Sequence, residues 1–136
     1  MFRRINPIPT PLSESALAEA VPARELQVLQ SMGTAVRIAA GRTAMVENAV
    51  GRECMVVVDG SFVVERDGEW IADLVPGDFM GEIALLTSQP RNATVTATHD
   101  SIVYAFSRRE FTSLLRACPA ISARVLEGVD ERLLVA

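Results

Sequence analysis

The feature that most constrains the fold is a series of short apolar segments between residues 34 and 107, separated by closely spaced turn signals. Asp59-Gly60, Asp67-Gly68 and Pro76-Gly77 follow one another at intervals of eight and nine residues. Asp59-Gly60 in particular predicts a hairpin, because both central residues of a type I′ turn need positive φ. Cys54 to Val58 is apolar throughout, which predicts a strand buried on both faces. Short strands with turns at this spacing are typical of a jelly roll or β-sandwich.

Helical patterns flank the strand region on both sides. Before it, Ser13 is the expected N-cap of a short helix, and Pro22 suits the first position of a second helix that ends at Gly33. After it, Ser107 and the glutamate three residues later predict a capping box. Pro119 begins a last helix with a broad apolar face formed by Ile121, Val125, Leu126, Val129 and Leu133, while Arg124 and Glu127 lie elsewhere on the helix. We therefore expect a mainly β fold with flanking helices. Its centre is an eight-stranded antiparallel β-roll (double-stranded β-helix or jelly roll), with short N-terminal helices and two C-terminal helices.

The length and composition fit one domain. A chain of 136 residues can bury a real core but not a second sizeable module. The apolar share of 49% argues against disorder. We expect an irregular N-terminal arm over residues 1–12 and one domain over 13–136. Within the domain we expect helices in 13–32, the β-roll in 34–107 and C-terminal helices in 108–134.

Charge and residue counts exclude several functions. The net charge is −4, and no run of lysines or arginines is present, which argues against general nucleic-acid binding. No apolar run approaches the about 20 residues of a membrane span, and no signal peptide is visible. We therefore expect a cytoplasmic protein that does not associate with membranes, in which Cys54 and Cys118 are free thiols. A single histidine argues against a metal-dependent enzyme, so we expect neither catalysis nor a cofactor.

The stretch around Gly81 and Arg91 has the residues needed to bind a small anion that carries hydroxyls. Gly81 lets another group approach the backbone because it has no Cβ. Residues 82–86 favour a short helix, whose first N–H groups attract an anion. Arg91 can add two parallel charge-assisted bonds to phosphate. Glu82 repels an anion and suits a ligand hydroxyl instead. The alternative is a tight turn whose arginine forms a weak surface ion pair.

Gly81-Glu82-Ile83-Ala84-Leu85-Leu86, followed after three residues by Pro90-Arg91-Asn92-Ala93-Thr94-Val95, resembles the phosphate-binding cassette of cyclic nucleotide-binding domains. The resemblance covers most of the chain, including the Val-Pro-Gly-Asp segment before the cassette and the Arg-Arg-Glu-Phe helix after the roll. It implies a set of ligand-binding residues, namely Gly81, Glu82, Ile83, Ala84, Arg91, Asn92 and Ala93.

The resemblance also implies a role for the main residues of this set. Glu82 would hold the ribose 2′-hydroxyl, and Arg91 would pair with the cyclic phosphate. The backbone of Ile83, Ala84 and Asn92 would complete the phosphate cage, and the last helix would close over the base or move with it. Asn92 departs from the alanine, serine or threonine that commonly follows the arginine, which leaves the base selectivity open.

By this resemblance the chain is expected to be a sensor or regulatory domain for a cyclic nucleotide, with cyclic AMP favoured over cyclic GMP. The ligand signal would pass to the C-terminal helices. We expect a homodimer through the last helix and an effector protein that the sequence does not name. The sequence shows no helix-turn-helix, so we expect no DNA binding by the chain itself. The alternative is a degenerate fold that serves as a ligand-free interaction or dimerisation module.

Overall fold

The computed structural model describes the backbone of residues 3–4 and 15–135 and the side chains of residues 15–127. The helices are α1 (Ala16–Ala20), α2 (Ala23–Met32), α3 (Glu82–Thr87), α4 (Arg108–Ala117) and α5 (Pro119–Val135). The strands are β1 (Arg3–Arg4), β2 (Thr34–Ile38), β3 (Thr43–Met45), β4 (Glu53–Asp59), β5 (Phe62–Arg66), β6 (Glu69–Leu74), β7 (Phe79–Met80), β8 (Thr94–Ala97) and β9 (Ser101–Ser107).

The strands of the described residues form two antiparallel sheets. One has the order β1-β2-β9-β4-β7, and the other has the order β3-β8-β5-β6. The eight strands from β2 to β9 make up the predicted roll, so the expected mainly β fold with flanking helices is confirmed. In the predicted N-terminal arm, Arg3–Arg4 is not irregular but pairs with β2. The rest of that arm lies outside the described residues.

The core has two parts, one on each face of β4. Cys54, Val56 and Val58 point to one face and pack with the apolar side chains of the helices. Met55 and Val57 point to the other face and pack between the two sheets. Side chains of a strand alternate between faces, and all five of these are buried. The prediction that this segment is buried on both faces is confirmed.

The turns of the roll differ from prediction at one point. β4 pairs with β7 and β9, whereas β5 pairs with β6 and β8, so Asp59-Gly60 carries the chain from one sheet to the other. The predicted type I′ hairpin at this position is wrong, because only Gly60 of the two has positive φ. Asp67 and Gly68 both have positive φ and join β5 to β6, as predicted.

The N-terminal helices begin slightly later than the sequence indicates. Ser15, not Ser13, is the N-cap of α1, and its side chain accepts a hydrogen bond from the Ala18 N–H at 3.3 Å. Ser13 itself lies outside the described residues. Pro22 is the N-cap of α2 rather than its first residue, and Gly33 ends α2 as predicted. The C-terminal helices follow the prediction more closely, since the capping box at Ser107 is present and α5 begins at Pro119.

Helix α5 has a narrower buried face than the sequence predicts. Ile121 and Val125 are buried in the core, but Leu126 is 52% exposed. The side chains of Val129 and Leu133, which were expected on the same apolar face, lie outside the described residues. Among the residues that the structure describes, no helix combines the length and apolar character needed to cross a membrane.

Candidate ligand-binding site

A cavity of about 440 Å³ lies against α3, the β5–β6 hairpin and α5. This volume falls within the range of small-molecule sites, about 300–1,000 Å³. All seven residues of the predicted set line it, so the fold brings together Gly81, Glu82, Ile83, Ala84, Arg91, Asn92 and Ala93. Their contact with a ligand stays a prediction.

Gly81 is the N-cap of α3 and allows this helix to start beside Arg91. Its φ is 86°, in the left-handed region that favours glycine. A Cβ at this position would collide with Nη1 of Arg91 and would lie 2.7 Å from Cε of Met45 and 2.9 Å from the Glu53 carbonyl oxygen. Both conformation and space therefore require glycine here.

Arg91 is fixed through both its side chain and its backbone. Its Nη1 donates to the Gly81 carbonyl at 3.1 Å, and its Nη2 donates to the Glu53 carbonyl at 2.6 Å. Its backbone N–H donates to the Ala49 carbonyl at 2.8 Å, while its carbonyl accepts from the Asn48 N–H at 2.7 Å. These four bonds hold the guanidinium at the wall of the cavity, next to the start of α3.

The electrostatics of Arg91 reflect its partial burial. Burial lowers the pKa of the guanidinium below its ordinary value, and the nearby Cys54, Glu53 and Glu82 act in the opposite direction. The side chain nevertheless stays charged at neutral pH, because arginine is effectively always protonated in proteins. The cavity therefore contains a fixed positive charge that suits an anionic group.

Glu82 places a carboxylate in the same cavity, at the first position of α3. It is only 1% exposed, and Ile83 and Ala84, which follow it, are also buried. A carboxylate accepts hydrogen bonds but donates none, so it suits hydroxyl groups of a ligand. The site thus combines a cation for an anionic group with an acceptor for a hydroxyl.

Gly51 is a structural residue of the site that the sequence analysis did not single out. A Cβ at Gly51 would lie 2.5 Å from Cβ of Ala84 and 3.1 Å from Nη1 of Arg91. Gly51 therefore lets the loop between β3 and β4 pack closely against the cassette. The local sequence could not reveal this role, since it does not show which distant side chain packs over a glycine.

Arg66 is a second arginine of the cavity that sequence reasoning missed. It lies at the end of β5, lines the cavity and donates through Nε to the carbonyl of Asn92 at 2.8 Å. Asn92 itself is exposed. Arg66 thus fixes the backbone next to Arg91. In sequence it looked like an ordinary polar residue before a turn, and only the pairing of β5 with β8 brings it to the cassette.

Helix α5 provides another wall of the cavity, through Arg124, Val125 and Glu127. The sequence correctly separated Arg124 and Glu127 from the apolar face of this helix. It did not show that they border a cavity, because the polar face of a helix looks the same whether it faces solvent or a ligand site.

In the part of the chain that the structure describes, no group of three or more His, Cys, Asp or Glu side chains is placed to hold a metal ion. Cys54 and Cys118 are thiols rather than a disulfide, as predicted, and both are buried.

The comparison with protein families agrees with this geometry. Residues 35–118 match the family model for the cyclic nucleotide-binding domain. The chain belongs to the cyclic nucleotide-binding domain family, whose domains bind ligands in regulatory proteins. The resemblance seen in the cassette is therefore confirmed at the level of the family.

Three known proteins illustrate the relationship. The chain is 33% identical over 106 residues to the Pycsar effector protein PaPycTIR of Pseudomonas aeruginosa, covering 77% of this chain and 34% of the relative. It superposes on the catabolite activator protein of Thermus thermophilus with a TM-score of 0.76 at 23% identity, covering 88% of this chain and 58% of the other, which supports the fold alone. It also superposes on the structure described as Sp-2Cl-cAMPS bound to PKAR CBD2, with a TM-score of 0.75 at 26% identity, covering 88% of this chain and 82% of the other. The chain spans about a third of the length of the curated relative.

Proposed function

We propose that this domain binds a cyclic nucleotide in the cavity beside α3 and acts as a sensor, with cyclic AMP preferred over cyclic GMP. The observation that carries the proposal is the convergence of all seven cassette residues on one cavity. Membership of the cyclic nucleotide-binding domain family supports it independently.

In this proposal the ligand is held by two kinds of contact. Arg91 pairs with the cyclic phosphate, and the first backbone N–H groups of α3, at Ile83 and Ala84, add hydrogen bonds to it. The backbone of Asn92 and Ala93 closes the cage from the other side, and Glu82 accepts a hydrogen bond from the ribose 2′-hydroxyl. Because the whole chain carries a net charge of −4, attraction of an anion depends on this local site.

The base would lie against the remaining walls of the cavity. These are apolar side chains of the β5–β6 hairpin, such as Val64 and Ile71, and Val125 of α5. Cyclic AMP is the first ligand to test, since the similar PKAR domain is described with Sp-2Cl-cAMPS bound. Cyclic GMP is the second, and Asn92 at the edge of the cavity is where the two bases would be distinguished.

Ligand binding would produce a signal through α5. This helix lines the cavity and also contacts α1, α3 and α4. A ligand that contacts both α3 and α5 would favour one position of α5 over another, which is the requirement for any response. We further propose that α5, on which Leu126 is exposed, mediates a homodimer or binds an effector in the cytoplasm. In this proposal the domain itself is neither an enzyme nor a DNA-binding protein.

One observation favours the alternative of a ligand-free scaffold. Arg91 already donates to two backbone carbonyls, at Gly81 and Glu53. Those bonds would also give Arg91 a purely structural role, in which it fixes α3 against β4 while the domain serves as an interaction or dimerisation module.

Thermal unfolding with cyclic AMP, cyclic GMP or 5′-AMP at millimolar concentration distinguishes a cyclic nucleotide sensor from a ligand-free scaffold. A ligand at 100 times its dissociation constant stabilises the folded protein by about 2.7 kcal/mol. We expect cyclic AMP to raise Tm the most and 5′-AMP to raise it little. The ligand-dependent shift should vanish in Arg91→Ala and persist in the control Arg109→Ala, which removes an exposed arginine outside the cavity lining. Absence of a shift with either cyclic nucleotide supports the scaffold instead.

A further inference from the structure

A buried carboxylate from α2 holds the beginning of α5. Glu25 is only 2% exposed, although it is an acidic residue. Its Oε1 accepts a hydrogen bond from the Ile121 N–H at 2.9 Å, and its Oε2 accepts one from the Ala120 N–H at 3.2 Å. The Cys118 thiol donates to the Glu25 carbonyl oxygen at 3.9 Å. The two segments are therefore joined at three points.

The local sequence explains why α5 takes its cap from another helix. The first N–H groups of a helix have no partner within it, and an Asp, Asn, Ser or Thr before the helix usually supplies one. Here Cys118 stands before Pro119, and a thiol is a weak acceptor. Glu25 supplies the acceptor instead, and its negative charge suits the positive end of the helix dipole.

Helix α5 reaches the cavity about one turn after the residues that Glu25 holds. Ile121 and Val125 are both buried, and Arg124, Val125 and Glu127 line the cavity. At a rise of 1.5 Å per residue, Val125 lies about 6 Å along the axis from Ile121. A displacement of the first turn would therefore move the cavity wall.

We propose that Glu25 is a positioning residue that holds α5 in the place where it lines the cavity, and that it thereby sets the affinity for the ligand. The effect on affinity rests on the proposed function. Without the carboxylate, α5 occupies its cavity-lining position for a smaller fraction of the time. The apparent dissociation constant rises in inverse proportion to that fraction.

The first arm of the test uses the ligand-free protein. Backbone amide NMR with hydrogen exchange is recorded for wild type, Glu25→Gln, Glu25→Ala and the control Ile38→Val. The control removes a methylene group from a fully buried residue of β2 outside the cavity lining, so it lowers stability without touching α5.

We expect the Ala120 and Ile121 amides to be protected in wild type and Ile38→Val and to lose protection in Glu25→Ala. Glu25→Gln should be intermediate, because its amide oxygen still accepts one bond. Resonances of the cavity-lining Ala84 and Val125 should shift in both Glu25 variants.

The second arm measures binding and dissociation of cyclic AMP. A fall in the competent fraction to about one tenth weakens binding about tenfold, mainly through a lower apparent association rate, in Glu25→Ala and not in Ile38→Val. The proposal is overturned if the Ala120 and Ile121 amides exchange freely in wild type, or if the Ala84 and Val125 resonances do not move in the variants. It is also overturned if Glu25→Ala binds cyclic AMP as wild type does. A wild-type protein that binds no cyclic nucleotide contradicts the proposed function, whereas the first arm still decides whether Glu25 positions α5.

Discussion

Gly81 shows how a single residue determines the geometry of this site. Its positive φ starts α3 at Glu82, and its missing side chain leaves room for the Arg91 guanidinium. The sequence predicted the close approach at this glycine correctly. It could not predict that the group approaching is Arg91 from the same cassette, because that contact depends on how the chain folds back between residues 82 and 91.

Two glycines of similar conformation allow this role to be tested. Gly81→Ala should lower the free energy of unfolding through left-handed strain, about 1–2 kcal/mol, and through the additional collision with Arg91 and Met45. Gly68→Ala is the matched control, since Gly68 also has positive φ but has open space around its Cβ position. Urea unfolding should show a larger loss for Gly81→Ala, and cyclic AMP binding should be lost in this variant alone. If Gly81→Ala and Gly68→Ala lost the same stability, the added Cβ at Gly81 would not collide with Arg91 and Met45 as proposed.

At the scale of elements, α3 depends on its neighbours for stability. It has only six residues, and a helix of this length does not persist alone. Its beginning is held by Gly81 and Arg91. Near its end, Nη1 of Arg108, the first residue of α4, donates to the Leu85 carbonyl at 2.7 Å. The cassette is thus tied to the first C-terminal helix as well as to the roll.

Removing the Arg108 contact should loosen α3 from its C-terminal end. We expect Arg108→Ala to lower the free energy of unfolding by about 0.5–1 kcal/mol, which is below the usual range for a hydrogen bond to a charged group because Arg108 is exposed. The protection free energy of the α3 amides, measured by hydrogen exchange, should fall by more than the global free energy of unfolding does. The neighbouring Arg109→Ala is the control, and an equal rise in α3 exchange for both variants would rule out the specific contact.

The elements were predictable to different degrees. Helix ends with local signals, such as the capping box at Ser107 and Gly33 at the end of α2, follow from a few neighbouring residues. Strand partners do not. Asp59-Gly60 has the composition of a hairpin turn, yet it connects two sheets. Strand β4 already pairs with β7 on one side and β9 on the other, so β5 cannot pair with it.

At the scale of the whole molecule, the cavity is built from segments far apart in sequence. The cassette could be identified because its residues are consecutive. Arg66 from β5 and Arg124 from α5 could not, since they join the site only through tertiary packing. The same holds for Glu25, whose partners are Ala120 and Ile121. An isolated glutamate in a short helix gives no indication that it caps a distant one.

The buried thiol and phenol of the core predict a loss of stability at alkaline pH. Burial raises the pKa of Cys118 above its ordinary 9.0, Glu25 raises it further, and Arg24 opposes them. Burial also raises the pKa of Tyr104 above its ordinary 10.0. Both groups ionise more readily in the unfolded chain, so the stability is fully present below pH 9 and falls as pH rises beyond it.

Urea unfolding from pH 7.5 to 10.5 should therefore show a decline that begins near pH 9. Cys118→Ala should be less stable at pH 7.5 but lose less stability than wild type between pH 9 and 10. An identical slope in wild type and variant would contradict the contribution of this thiol.

The central claim is that Arg91 holds the phosphate of a cyclic nucleotide in the cavity beside α3. Isothermal titration calorimetry of cyclic AMP into the wild-type protein and Arg91→Ala tests it most directly. We predict one site per chain for wild type and a loss of at least about a hundredfold in affinity for Arg91→Ala, equivalent to about 2.7 kcal/mol. Wild-type protein that gives no binding heat across several temperatures, or an Arg91→Ala variant that binds as tightly as wild type, would contradict the claim.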